Sequence, residues 1–191
     1  MSPEEILSNV RFYRDFPQPG VNFIDVLPLM QSREVFGAIV ADLSRLVAAP
    51  TVAAPEARGF LFAAPLLTVP GTARSLIAFR KAGKLPAADG DLLGIDIEKE
   101  YGTDRLYFRR SDVERSAEED GEIRVTVFDD ILATGGTCEA MAGALTSLDI
   151  NRGGRKLPVR IAQFVFLGEL DGLGGRERLE PLAPVHSLLK I

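Results

Sequence analysis

Apolar residues recur with two different periods along the chain, and the change of period predicts the order of its elements. A recurrence of three to four residues is typical of an amphipathic helix, whereas short continuous apolar runs are typical of buried strands. The predicted helices are Pro3 to Tyr13, Ser32 to Val47, Phe60 to Val69 and a segment that contains Met141, Ala144, Leu145 and Leu148.

Short runs rich in β-branched and apolar residues lie between these helices. They are Thr51 to Ala54, Ser75 to Phe79, Ile123 to Phe128 and Val159 to Leu167. Strands that alternate with helices favour an α/β fold in which a parallel sheet has helices on both faces. Arg80 to Asp104 shows no sustained period. A segment of that length within a compact domain is usually functional, and we expect it to be a lid.

Composition limits the class of protein. With 191 residues, 46% of them hydrophobic, the chain is predicted to form one domain around one substantial core. A net charge of −5 argues against a nucleic-acid surface, and no apolar run reaches membrane-spanning length. The first residues lack the pattern of a secretory leader, so a cytoplasmic protein is expected. The single His, His186, makes a zinc site improbable, and the single Cys, Cys138, is expected to pack in the core.

A glycine-rich turn joins the strand that ends near Phe128 to the next helix. Open α/β sheets bind ligands at such a place, and free N–H groups at a helix start favour an anion. Gly135 and Gly136 allow the backbone to approach the anion, while Thr134 and Thr137 add hydroxyl donors. No Lys follows the glycines as it does in nucleoside triphosphate-binding loops. We therefore predict a phosphate site of another kind.

Asp129 and Asp130 stand directly before this turn, where we expect them to face solvent. Two carboxylates would repel a second phosphate, but they can accept hydrogen bonds from the vicinal hydroxyls of a ribose. Ordinary helix capping is the alternative explanation of this acidic pair, and a plain loop is the alternative explanation of the Thr-Gly-Gly-Thr turn. Together, the pair and the turn favour a ligand that carries a sugar beside a phosphate.

Glu56 to Phe60 repeats the arrangement of strand, short turn and helix, and it offers a second anion site at the same edge of the sheet. Arg80, Lys81 and Lys84 follow the next strand and would face that edge. This arrangement fits a ligand with a diphosphate as well as a 5′-phosphate. Such cations are also common on a solvated surface, and that alternative stays open.

Several segments resemble one enzyme family. The run from Val125 to Thr137 resembles the phosphoribosyl diphosphate motif of type I phosphoribosyltransferases, and its end, Ile-Leu-Ala-Thr-Gly-Gly-Thr, is similar to adenine phosphoribosyltransferases. Glu-Ala-Arg-Gly-Phe-Leu-Phe, Arg-Lys-Ala-Gly-Lys-Leu-Pro, Glu-Tyr-Gly-Thr-Asp and Phe-Pro-Gln-Pro-Gly-Val resemble other segments of that family. The resemblance covers about Phe16 to Phe166, with a weaker similarity at Gly174 to Glu180.

The resemblance implies a fold, a reaction and partners. The fold is a single domain with a central, mostly parallel sheet flanked by helices, a small amino-terminal hood over about residues 1–30 and a flexible lid over about 80–104. The reaction is transfer of the 5-phosphoribosyl group from phosphoribosyl diphosphate to adenine, giving AMP and diphosphate in purine salvage. Mg²⁺, held mainly by substrate diphosphate and water, is the implied cofactor. A homodimer without nucleic-acid or membrane partners is expected.

The resemblance also implies the role of individual residues. The 5′-phosphate is held by Ala133, Thr134, Gly135, Gly136 and Thr137, and the ribose hydroxyls by Asp129 and Asp130. Diphosphate is bound by Glu56, Ala57, Arg58, Arg80, Lys81 and Lys84, some of them from a neighbouring subunit. The Glu56-Ala57 peptide is expected to be cis. The purine contacts Val21, Phe23 and Ile131. The lid carries Tyr101 and Glu100, and Glu100 is expected to act as general acid or base at the purine.

Differences from the family pattern cluster at the base pocket and the lid. Ile24 stands where many relatives have Arg or Lys, Asn22 is polar at a position that is usually apolar, and Ala87 to Gly94 is less polar than usual. They leave two alternatives open. One is a phosphoribosyltransferase for a 6-oxopurine or a modified purine, and the other is a purine-responsive regulator without turnover. No nucleic-acid-binding segment is visible, and Arg58 and Glu100 are present, which favours an enzyme.

Overall fold

The computed structural model describes residues 2–99 and 102–191. The helices are α1 Pro3–Leu7, α2 Arg33–Leu46, α3 Arg58–Leu66, α4 Arg110–Glu114, α5 Gly136–Thr146 and α6 Gly175–Leu179. The strands are β1 Arg11–Tyr13, β2 Phe23–Asp25, β3 Thr51–Pro55, β4 Ser75–Lys81, β5 Leu92–Lys99, β6 Gly102–Arg109, β7 Glu118–Glu119, β8 Glu122–Leu132, β9 Ile150–Arg152, β10 Arg155–Leu157, β11 Val159–Glu169 and β12 Val185–Lys190.

The main sheet has the strand order β12-β11-β8-β3-β4-β6-β5. The first five of these strands run parallel, while β5 and β6 form an antiparallel hairpin at one edge. β7 pairs antiparallel with the start of β8. Two small hairpins, β1 with β2 and β9 with β10, lie outside the main sheet. The prediction of a mostly parallel α/β sheet is confirmed.

Helices cover both faces of the sheet because alternate side chains of each buried strand point in opposite directions. On β8, Val127 packs with Met141 of α5 in one hydrophobic cluster, whereas the next residue, Phe128, packs with Phe62 of α3 in the other. α2 belongs to the second cluster as well. Its predicted extent is confirmed, since it is capped by Ser32, whose hydroxyl accepts a hydrogen bond from the backbone N–H of Val35 at 3.2 Å.

The predicted helix from Pro3 to Tyr13 is correct only as far as Leu7. The Ser8 hydroxyl and the Asn9 amide both donate to the carbonyl of Glu5, at 2.8 and 2.9 Å, and so satisfy the helix end. Arg11–Tyr13 then forms β1, which pairs with β2. This pairing depends on a partner strand later in the sequence, so the local pattern did not reveal it.

The expectation of an irregular segment from Arg80 to Asp104 is wrong where β5 lies. β5 and β6 pair from Leu92 opposite Arg109 to Lys99 opposite Gly102. Ile95 and Ile97 are buried. Their alternation with polar or small residues is the period of a strand, and it is too short to stand out in the sequence as a sustained pattern.

Other boundaries differ by a few residues. α3 begins at Arg58 rather than Phe60, and β8 continues past Phe128 to Leu132. β12 was not predicted, and it extends the parallel sheet at the edge of β11. In the part of the chain that the structure describes, no helix is both long enough and apolar enough to cross a membrane.

Candidate active site

The turn between β8 and α5 encloses a small cavity at the predicted anion site, which is called the cradle below. α5 begins at Gly136, and Gly135 precedes it with φ of +77°, a left-handed conformation that glycine adopts without a side-chain clash. The cradle is a cavity of about 90 Å³. It is lined by Asp129, Ile131, Leu132, Ala133, Thr134, Gly135, Gly136, Thr137, Cys138 and Phe166. Backbone N–H groups of a first helical turn have no partners within the helix, so this small cavity suits a phosphate group.

The expectation that the acidic pair faces solvent at a turn is wrong. Both residues lie within β8, and the side chain of Asp130 is buried, with the residue only 4% exposed. Asp129 is partly buried, and its Oδ1 accepts a hydrogen bond from the backbone N–H of Asp130 at 2.8 Å. Burial and the neighbouring Asp130 carboxylate raise the pKa of Asp129 well above its ordinary value.

Arg58, the first residue of α3, connects the hood to this pair. Its Nε lies 2.8 Å from Oδ2 of Asp130, and its Nη1 donates to the carbonyl of Ile24 in β2 at 2.8 Å. Its guanidinium carbon also lies 5.0 Å from the ring centre of Phe23, a cation–π distance. The Arg58–Asp130 contact is an ion pair without hydrogen-bond alignment. Asp130 Oδ2 therefore has no hydrogen-bond partner among the described residues, although it is buried.

The Glu56-Ala57 peptide is cis, which confirms that prediction. The Glu56 carboxylate accepts hydrogen bonds from Nε of Arg80 at 2.7 Å and from the backbone N–H of Lys81 at 2.9 Å, and Nη1 of Arg80 donates to the carbonyl of Lys84 at 2.8 Å. Burial by itself would raise the pKa of Glu56, but these contacts outweigh it and lower the pKa. The predicted diphosphate-binding residues are thus assembled where β3 and β4 end.

A second, larger cavity of about 880 Å³ adjoins the cradle. It is lined by the predicted purine contacts Val21, Phe23 and Ile131, together with Arg58. The Phe23 ring packs edge-on against Phe16, with 5.1 Å between their centres. Ile131 and Ala133 line both the cavity and the cradle. One ligand can therefore place a flat apolar ring in the cavity and a phosphate in the cradle.

Sequence reasoning missed part of the cavity wall, namely Phe12, Tyr13, Leu170, Leu173 and Ile191. Phe12 and Tyr13 were assigned to a helix, and the others lie beyond the segments that carry the strong family resemblance. The available signal was the pair of adjacent aromatic residues, which are 56% and 45% exposed. Exposed aromatic residues often mark a binding surface.

The remaining candidate residues divide into three cases. The predicted lid residues Glu100 and Tyr101 lie outside the described residues. Cys138 is buried in the core, as predicted, and burial followed by the nearby carboxylates of Asp129 and Asp130 raises the pKa of its thiol. His186 is exposed on β12.

A parallel sheet with an anion cradle after β8, an acidic pair beside it and an apolar cavity under a small hood defines a type I phosphoribosyltransferase. An adenine phosphoribosyltransferase from Synechococcus sp. (strain CC9605) is 37% identical over 189 residues, which are 97% of this chain and 98% of that protein. The crystal structure of adenine phosphoribosyltransferase from Thermoanaerobacter pseudethanolicus superposes with a TM-score of 0.81 at 36% identity, over 100% of both chains. The chain belongs to the adenine phosphoribosyltransferase family.

A more distant solved structure has the same fold. The adenine phosphoribosyltransferase from Saccharomyces cerevisiae, complexed with an imino-altritol bisphosphate and adenine, has a TM-score of 0.77 and 29% identity, and the match covers 98% of each chain. No family model matches the chain. Membership of the family makes this protein a pentosyltransferase.

Proposed function

We propose that this chain is a cytoplasmic enzyme of purine salvage that transfers the 5-phosphoribosyl group from phosphoribosyl diphosphate to adenine. The products are AMP and diphosphate. The observation that carries the proposal is the shared wall of the two cavities, where Ile131 and Ala133 contact both. A nucleotide needs this arrangement, because its base and its 5′-phosphate are joined through one sugar.

In the proposed complex, adenine lies between Phe23 and Ile131, and the 5′-phosphate accepts hydrogen bonds from the backbone N–H groups of residues 133–137. The ribose hydroxyls donate to Asp129 and Asp130. This assignment is supported by Asp129, which lines the cradle, and by Asp130 beside it, which Arg58 holds in an ion pair at 2.8 Å. Carboxylate oxygens only accept hydrogen bonds, so they suit the hydroxyl donors of a ribose.

The chemical step exchanges two bonds at the anomeric carbon. The bond from C1′ to the diphosphate oxygen breaks, the bond from C1′ to a ring nitrogen of adenine forms, and that nitrogen loses its proton. Positive charge develops on the sugar ring, as in glycoside hydrolysis, and nearby carboxylates stabilise it. Arg58 and the backbone of Glu56-Ala57 contact the leaving diphosphate. We place Glu100 on the lid as the group that handles the adenine proton, with Tyr101 beside it.

Mg²⁺ fits the donors of this site. In residues 2–99 and 102–191, no group of three or more His, Cys, Asp and Glu side chains is placed to hold a metal ion. The ion would therefore be held by diphosphate oxygens and water, with the carboxylates of Asp129 and Asp130 as the hard oxygen donors nearby. When bound, it would neutralise part of the diphosphate charge.

We further propose a homodimer in which some of Arg80, Lys81 and Lys84 reach the diphosphate of the neighbouring subunit. The cations at the end of β4 support this proposal. Arg80 is fixed by Glu56, and its side chain is 36% exposed, so part of the guanidinium remains accessible.

Adenine is the proposed base because its amine can donate to a backbone carbonyl near Val21 to Phe23, and no charged side chain is needed. A 6-oxopurine needs a donor instead. The Lys that precedes the late strand β11, Lys156, lies on β10, forms an ion pair with Asp149 and does not line the cavity. Lys156 is thereby excluded as the donor to a 6-oxopurine in this cavity.

The proposal is tested by measuring AMP and diphosphate formed from adenine, phosphoribosyl diphosphate and Mg²⁺. We expect equal amounts of the two products. Replacing both Asp129 and Asp130 by Asn should abolish transfer, whereas the control Asp149→Asn, on an exposed residue away from both cavities, should not change it. Near wild-type kcat/KM in the double variant would contradict the assigned role of the acidic pair.

A further inference from the structure

Helix α6 packs against the phosphate loop from outside the cradle. A Cβ added at Gly175 would lie 2.1 Å from the carbonyl oxygen of Ala133, and one at Gly135 would lie 3.1 Å from the carbonyl oxygen of Gly175. The two backbones are therefore in direct contact, with no space for a side chain between them. The described residues that line the cradle include none from α6. α6 can thus set the position of the loop through this backbone contact.

Arg176 holds α6 in this place. Its Nη2 and Nε lie 2.6 and 2.8 Å from Oε2 and Oε1 of Glu169, a bidentate ion pair. Its Nη1 donates to the carbonyl of Val185 at 2.9 Å and to the Glu180 carboxylate at 3.1 Å. Glu169 is only 5% exposed, and it also accepts a hydrogen bond from the Ser187 hydroxyl at 2.8 Å. Arg176 therefore ties α6 to the ends of two strands.

Glu169 is connected to the phosphate loop through the sheet. It is the last residue of β11, in register with Leu132, the last residue of β8. The backbone N–H of Leu170 donates to the carbonyl of Leu132 at 2.9 Å, directly before Ala133. Two segments contact the start of the phosphate loop, the end of β11 and the backbone at Gly175. The Arg176–Glu169 ion pair joins these two segments.

Stability alone is a weak explanation of this pair. A buried ion pair loses much of its attraction to desolvation, and apolar residues of similar volume often replace one without loss of stability. What an apolar substitute cannot provide is the fixed fork geometry of two parallel hydrogen bonds and a third to a backbone carbonyl. In this protein the fork of Arg176 fixes how closely the backbone of Gly175 packs against Ala133.

We propose that Arg176 and Glu169 are positioning residues of the phosphate site, which hold Gly175 against Ala133 and keep the N–H groups of residues 133–137 directed at one 5′-phosphate. The inference rests on the proposed function, which supplies that ligand. Hydrogen bonds weaken steeply with misalignment, so a small shift of the loop weakens several contacts together. The effect is specific for ligands with a 5′-phosphate.

The test uses Arg176→Lys, which keeps the charge and removes the fork. Titration calorimetry with ribose 5-phosphate should show a Kd at least ~10-fold higher than that of the wild type, and the KM for phosphoribosyl diphosphate should rise in parallel. The kcat, and the KM for adenine at saturating phosphoribosyl diphosphate, should stay within about 3-fold. Glu169→Gln should change the same constants in the same direction.

The matched control is Arg160→Lys. Arg160 lies on β11, like Glu169, but at the amino end of the strand and far from the phosphate loop. It forms an ion pair at 2.6 Å with Glu122 of β8. This variant should leave the ribose 5-phosphate Kd and all kinetic constants unchanged.

Unchanged ribose 5-phosphate affinity in Arg176→Lys would overturn the inference. Equal losses in kcat, adenine KM and phosphoribosyl diphosphate KM would do the same, because they indicate a general structural defect. If Arg176→Lys melts below the assay temperature, the same criteria are applied to Glu169→Gln, and that variant decides the inference. Absence of AMP formation by the wild type would overturn the proposed function alone, since ribose 5-phosphate affinity still tests the positioning role.

Discussion

Replacing Asp129 by Asn should make the protein more stable and less active. Asn is nearly isosteric with Asp, and its side-chain oxygen can still accept the hydrogen bond from the backbone N–H of Asp130, which is 2.8 Å in the wild type. The substitution removes one negative charge that is desolvated and lies beside another carboxylate. These two causes raise the pKa of Asp129, so the charged form is unfavourable in the folded protein.

The expected gain follows from what is kept and what is removed. Loss of a hydrogen bond would lower the free energy of unfolding by about 1 kcal/mol, but this hydrogen bond is retained in the variant. A single stabilising substitution commonly raises the free energy of unfolding by about 0.5–2 kcal/mol, and lost activity is its usual cost. For a chain of this length, 1 kcal/mol corresponds to a rise in Tm of roughly 2–4 °C. The kcat/KM should fall by about 10- to 100-fold, since a charged acceptor for a ribose hydroxyl is lost.

The stability gain should depend on pH in a defined direction. Because the folded protein binds the Asp129 proton more tightly than the unfolded chain does, wild-type stability falls as pH rises from the ordinary Asp value, about 3.9, through the raised folded pKa. The difference in unfolding free energy between Asp129→Asn and wild type should grow as pH rises above the ordinary Asp value and level off above the raised folded pKa. It should disappear in acid, where Asp129 is protonated in both states of the wild type.

Urea denaturation of both proteins across this pH range is the assay. The control is Asp91→Asn, because hydrogen bonds from the Ser111 hydroxyl and backbone N–H, each 2.7 Å, lower the pKa of Asp91. That variant should be less stable than wild type at neutral pH. If Asp129→Asn is also less stable at neutral pH, or if its stability difference does not change with pH, the account of the acidic pair is refuted.

Three further predictions concern single residues. Arg58→Lys loses its contacts with Asp130 and the carbonyl of Ile24. Urea denaturation should show a free energy of unfolding lower by about 1–3 kcal/mol, and the assay should show a lower kcat/KM. If both values stay unchanged, Arg58 does not bridge β2 and Asp130. Cys138 should resist a thiol reagent in the native protein and react in urea, because burial raises its pKa, and rapid native labelling would show that it is accessible. Glu100→Ala should lower kcat more than substrate affinity, and an unchanged kcat with chemistry rate-limiting would make Glu100 a surface residue.

The phosphate loop could be predicted because its signal is local. A buried strand, two glycines between hydroxyl residues and a helical apolar pattern are adjacent in the sequence, and each has one structural meaning at that place. The cradle from Ala133 to Thr137 therefore appears where it was expected. α2 was predictable for the same reason, since Ser32 caps a regular amphipathic pattern.

The environment of the acidic pair could not be predicted, because it depends on distant segments. β8 continues through Asp129 since Phe166 of β11 pairs beside it, and Asp130 is buried where Arg58 of α3 reaches it. A two-residue acidic motif before a turn gives no sign of either neighbour. The contact of Gly175 with Ala133 was hidden for the same reason.

Selection of adenine as the acceptor of the phosphoribosyl group distinguishes the proposed function from its alternatives. The most direct measurement is a competition in one vessel, with equal concentrations of adenine, hypoxanthine and guanine, limiting phosphoribosyl diphosphate and Mg²⁺, and mass spectrometric counting of the three nucleotides. Their ratio equals the ratio of kcat/KM values. We expect AMP to exceed IMP and GMP each by at least ~10², the discrimination expected when a buried polar group is mismatched. Comparable amounts of AMP and IMP would contradict selection of adenine.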